Sequence, residues 1–140
     1  MLNLSDRTTS VLRYLLEGIV AICTAYASLA LFTWAIGQLA MARFWEPWVR
    51  QIGVLGSEIP FVLVTLTSGF AIGAALGLVF GYRASRIAVF SGVLAAIALL
   101  VGEATYPDGV SSLWSSVTAA ATLAAGLVIG SICTRPLRHA

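Results

Sequence analysis

The stretch GFAIGAALGLVFGYR, residues 69–83, places glycine at positions 69, 73, 77 and 81, every fourth residue of a segment that otherwise reads as an apolar helix. In water a glycine inside a helix costs roughly 1 kcal/mol relative to alanine, so four in one register need a reason. In a bilayer, helices gain little from apolar contact with each other and associate through close van der Waals packing, which small residues permit. Residues four apart advance about 40° around an α-helix. Gly69, Gly73, Gly77 and Gly81 therefore trace one gently winding groove, a helix-packing surface.

The rest of the chain fits this reading. It has 140 residues, of which 59% are hydrophobic and only 10% charged, whereas a soluble domain carries about 25% charged residues. A bilayer core needs roughly 20 apolar residues in a helix. Four segments qualify: 18–42, 59–82, 87–104 and 113–133. The expected fold is an all-α integral membrane protein, one domain over residues 1–140, built as a bundle of four transmembrane helices. The apolar length of the first segment exceeds the 7–15 residues of a cleaved signal peptide, and Glu17 sits on its flank, so it reads as a retained anchor.

All eight basic residues are arginines, a bias that, with abundant alanine and glycine, suggests a bacterial source. Arg7, Arg13, Arg83, Arg86, Arg135 and Arg138 fall in the N-terminal segment, the second connection and the tail, while Arg43 and Arg50 fall in the first connection. Excess arginine marks the cytoplasmic side. The expected placement is multi-pass in the bacterial inner membrane, with both termini cytoplasmic. Trp45, Trp48 and Trp114 are candidate interfacial anchors at the outer boundary, with Tyr106 beside them, and Tyr14 and Tyr82 mark the inner one.

The first outer connection, RFWEPWVRQIGVLGSE (43–58), carries aromatic and aliphatic residues at helical spacing, Pro47 suited to a first turn, and Glu46 four residues before Arg50. This predicts a short amphipathic helix on the outer membrane face. Tyr106-Pro107-Asp108-Gly109 reads as a tight turn, with Ser111 or Ser112 capping the fourth span.

What fills the glycine groove is open in the sequence. Span four offers Thr118, Thr122, Gly126 and Gly130, again four apart, and runs in the same direction as span two; span three offers Ala88, Gly92 and Ala96. Either a helix of the same chain or a second copy could occupy the groove. Leu76 and Val79 read as lying off the row.

Little in the sequence carries chemistry. The one histidine, His139, is next to the C-terminus, and Cys23 and Cys133 read as isolated, buried apolar residues. No catalytic set, metal site or cofactor is expected. A net charge near +2, scattered along the chain, gives no basic stripe for nucleic acid. Glu17 is the candidate functional carboxylate, because small four-span multidrug transporters also use a first-helix glutamate; its place four residues after Arg13 favours an interfacial ion pair. Glu46, Glu58, Glu103 and Asp108 read as solvated loop charges. The expected function is that of a small non-catalytic membrane protein acting through helix packing. It would serve as an accessory subunit of a membrane complex or as a self-assembling homo-oligomer, a class that includes immunity proteins against pore-forming toxins. The alternative is a small oligomeric channel or transporter. The expected partners are the lipid bilayer and either another membrane protein or further copies of this chain.

Overall fold

The computed structural model describes residues 4–53, 55–105 and 113–134, except for the side chains of residues 4–7, 45, 48, 55–57, 113 and 114. The tight turn at 106–109, Asp108, the capping serines 111 and 112, and Arg135, Arg138 and His139 lie outside them. The described residues are all helical, with short turns and no strands. The elements are α1 (Leu4–Met41), α2 (Trp45–Ile52), α3 (Leu55–Phe80), a 3-10 turn (Gly81–Arg83), α4 (Ala84–Thr105) and α5 (Leu113–Cys133).

Among the described residues, three stretches are long and apolar enough to cross a membrane: Thr8–Met41, Glu58–Thr105 and Ser115–Cys133. The middle one contains α4 and all of α3 from Glu58 onward. The packing is inverted relative to a soluble protein. Ala21, Ala25, Ala84, Ala88, Ala95, Ala119 and Ala120 are buried, whereas Ile19, Ile22, Phe70, Val79, Phe90, Val93, Ile97 and Ile129 are exposed. Leu76, Ile87, Leu123 and Leu127 are buried too, but an interior this rich in alanine with so many large apolar residues outside suits a lipid solvent, where burying a leucine gains little and close helix approach gains more. The chain is membrane-associated on this evidence.

α1 has 38 residues, about 57 Å at 1.5 Å per residue, and starts well before the expected residue 18. Residues 4–17 contain no proline or glycine to stop a helix, so the helix runs on past the point where the apolar run ends. Residues 8–16 are all exposed. At its other end the N–H of Arg43 bonds the Ala40 carbonyl (3.1 Å) and that of Phe44 bonds the Leu39 carbonyl (3.2 Å). These are the paired bonds of a Schellman ending, with Arg43 at φ +50° where glycine is usual.

α2 contains Pro47, which supplies no N–H where the first turn needs none. The expected Glu46–Arg50 pair forms at 3.8 Å, beside Arg43–Glu46 at 3.6 Å. Both are exposed, so each contributes at most about 1 kcal/mol. Gly53, at φ +71°, ends α2 and bonds the Val49 carbonyl.

The helices form two parallel pairs. α3 lies along α5 with both helices running the same way: Gly69 faces Leu123, Gly73 faces Leu127 and Gly77 faces Ser131. α1 lies along α4, where the Ser91 hydroxyl donates to the Ala21 carbonyl at 3.0 Å. α4 and α5 are antiparallel neighbours, with Ser116 donating to Glu103 at 3.1 Å. Phe32 of α1 meets Phe61 of α3 edge to face, at 5.5 Å between ring centres. The buried centre joins Ala21, Leu76, Ile87, Ala88 and Leu127. Leu76 is thus a core residue, not one lying off the packed surface. A helix surface has room for buried positions on both sides of a glycine row, and Leu76 takes the flank toward α4.

Candidate functional site

The described residues present two built features: a packed seam between α3 and α5, and a groove with an arginine-rich mouth between α1 and α4.

In the seam, backbone meets backbone. A methyl group on Gly73 would overlap the Leu127 carbonyl oxygen and lie 2.8 Å from its Cα and carbonyl carbon. One on Gly69 would overlap the Leu123 oxygen and lie 3.1 Å from the Leu127 nitrogen. From the other side, Gly126 fits against Leu66 and Phe70, and Gly130 against Phe70 and Ala74, whose nitrogen would be 2.8 Å from an added Cβ. Gly77 lies against the Thr134 hydroxyl and the Ser131 carbonyl. Gly92 of α4 extends this close packing, since an added Cβ would sit 3.0 Å from that of Ala124.

Gly81 is buried but departs from the helical row: at φ +57° it ends α3 and opens the turn into α4. Left-handed backbone of this kind costs a residue with a Cβ roughly 1–2 kcal/mol. Thr118 and Thr122 are half-buried, and the Thr122 hydroxyl bonds back to the Thr118 carbonyl at 2.7 Å.

Hydroxyls fasten the helices. Thr134 donates to the Ala74 carbonyl of α3 at 3.1 Å, and Ser91 ties α4 to α1 while also bonding Ile87 of its own helix at 2.8 Å. Interhelical bonds of this kind contribute about 0.6 kcal/mol on average, up to roughly 2. Ser28 and Thr65 instead bond carbonyls four residues earlier in their own helices.

The remaining candidates are dispersed. Trp45 and Trp48 belong to α2 and Trp114 to the first turn of α5; their side chains lie outside the described residues. Cys23 and Cys133 are free and exposed, contrary to the expectation of burial. Each falls on the outer side of its helix, a position an apolar pattern alone does not distinguish from the inner one. Glu17 does not pair with Arg13: among the described residues the ion pairs are the two around Glu46.

Glu17 instead lines the second feature. At the end where α1 enters the bundle and α3 turns into α4, Arg13, Tyr14, Glu17, Tyr82, Arg83 and Arg86 surround a cavity of about 270 Å³. Tyr14, Glu17 and Arg86 also line a larger groove of about 550 Å³ between α1 and α4, whose remaining walls are apolar, among them Gly18, Ile22, Phe90 and Leu94. The two spaces share three lining residues, Tyr14, Glu17 and Arg86, and so lie side by side. Sequence reasoning used Arg83 and Arg86 only as topology markers, and Arg13 also as the expected ion-pair partner of Glu17. The signal it missed was the pairing of Arg13 with Arg83 and Arg86, some 70 positions apart.

Among the described residues no group of three or more His, Cys, Asp or Glu is positioned to hold a metal ion. No protein-family model, curated protein or solved structure matches the chain.

Proposed function

We propose that the chain is a non-catalytic subunit of a bacterial inner-membrane complex, crossing the bilayer four times with both termini cytoplasmic and docking on a partner membrane protein through α1. In this reading the stretch Glu58–Thr105 crosses twice, once as α3 and once as α4. At 1.5 Å per residue its 48 residues would extend about 72 Å, against a bilayer core of about 30 Å, and both helices pack on α5. α2 lies on the outer face.

The observation that carries the docking role is the uncovered face of α1. The glycine seam is closed within the chain, so it leaves no groove for a second copy. On α1, however, Ile19, Ile22, Tyr26, Thr33 and Trp34 are exposed, and Tyr26 is 76% exposed near the middle of the apolar run. A phenol hydroxyl facing hydrocarbon has no partner to bond, and a protein neighbour provides one.

Two experiments test this. With Cys23 and Cys133 replaced, a cysteine at Gln51 should react with a membrane-impermeant thiol reagent on intact cells and one at Ser85 should not; the reverse pattern would overturn the orientation. A benzophenone amino acid at Tyr26, irradiated in native membranes, should give one discrete adduct with another protein. Adducts with lipid alone would contradict the docking role, and an adduct of two copies would make the chain a self-assembling oligomer instead.

A further inference from the structure

We propose that the groove between α1 and α4 binds one anionic phospholipid, with its phosphate on Arg13, Arg83 and Arg86 and one acyl chain lying against Ile22, Phe90 and Leu94. The proposal rests on the orientation proposed above, which puts the arginines at the cytoplasmic boundary, and it shares only Ile22 with the α1 face assigned to a partner.

The first support is charge. Three guanidinium groups and one carboxylate, Glu17, line the mouth, so the site favours a net-negative occupant. Arginine presents a planar fork of donors that matches phosphate oxygens in pairs. Basic pockets between membrane helices on the cytoplasmic side are known to select anionic headgroups. The Glu17 carboxylate, which a phosphate alone would not call for, is placed to accept a hydrogen bond from a headgroup hydroxyl, a feature of phosphatidylglycerol that phosphatidylcholine lacks.

The second support is shape. The polar cavity of about 270 Å³ adjoins the mostly apolar groove of about 550 Å³, with Tyr14, Glu17 and Arg86 lining both. A soluble phosphate would use only the first and an apolar molecule only the second. A phospholipid uses both, with its head and tail in the order the two spaces occur. The groove has room because α1 is thin at Gly18, where an added Cβ would meet nothing within 4 Å; the next turn adds Ala21 and Ile22 to its wall.

The test is native mass spectrometry of the full chain in mild detergent, titrated separately with phosphatidylglycerol, phosphatidylcholine of the same acyl chains, and glycerol phosphate. Phosphatidylglycerol should bind at least tenfold more tightly than phosphatidylcholine, and glycerol phosphate should not bind over the same range. The double variant Arg83→Gln/Arg86→Gln should lose tenfold or more of the phosphatidylglycerol affinity. Gly18→Leu should abolish binding while keeping or raising the melting temperature, because it fills open space and removes a helix-interior glycine. Since Gly18→Leu leaves every arginine in place, it decides the question even if the arginine variant fails to fold. Equal binding of the two lipids, undiminished binding by Gly18→Leu, or glycerol phosphate binding as tightly as the lipid would each overturn the proposal.

Discussion

Gly73→Leu should abolish the fold or lower the melting temperature in detergent more than any conservative change on the outer surface. The added Cβ alone would overlap the Leu127 carbonyl and approach two further backbone atoms to 2.8 Å. Backbone cannot rotate away as a flexible side chain can, so α3 and α5 must separate. Overpacking typically costs about 1–3 kcal/mol and occasionally more; a clash with backbone belongs at or above the top of that range. Val79→Leu, at a position 62% exposed on the same helix, should stay within about 0.5 kcal/mol of wild type. Gly130→Leu should resemble Gly73→Leu, because its Cβ would overlap the Phe70 carbonyl and lie 3.1 Å from the Gly73 carbonyl carbon. Once one leucine has opened the seam, the second meets less resistance. The double variant should therefore lose clearly less stability than the two singles combined. Thermal denaturation of all four proteins checks this, and strict additivity would mean that the two glycines do not share one contact.

The sequence made some of this architecture legible and hid the rest for identifiable reasons. α5 occupies Leu113–Cys133, the same bounds that its apolar run marks. α1 does not follow that rule. Hydropathy locates where charges stop, whereas a helix stops where its backbone is interrupted, and nothing interrupts it between Leu4 and Gly18. The four-residue spacing of Gly69, Gly73 and Gly77 signals close approach, but spacing alone does not say to what. The partner emerges only from the parallel run of α5, which brings Gly126 and Gly130 to the same depth. Gly81 shares the spacing and yet ends the helix, because its φ of +57° is a property of the chain reversal that follows. The arginine-lined mouth was illegible for a different reason. It joins α1 to the α3–α4 turn, and the register between α1 and α4 is a tertiary fact carried by contacts such as Ser91 to Ala21. Charged residues read one loop at a time report topology and say nothing of convergence.

The seam being internal to one chain is the claim on which the rest depends, because it removes the glycine row as a surface for self-association and leaves exposed outer faces, such as that of α1, to meet a partner. The Thr134 hydroxyl points at the place a Gly77 Cβ would occupy. Cysteines at these two positions would bring their Cβ atoms close to the roughly 3.5–4.5 Å that a disulfide spans, and the small shift needed falls at Thr134, just past the end of α5. The variant Gly77→Cys/Thr134→Cys, in a background with Cys23 and Cys133 replaced by serine, would be oxidised in isolated membranes and resolved by non-reducing electrophoresis and intact mass. The expected result is a monomer with an internal disulfide, lighter by two hydrogens and restored by reductant. A covalent dimer under the same conditions would place the glycine row between subunits and contradict the account.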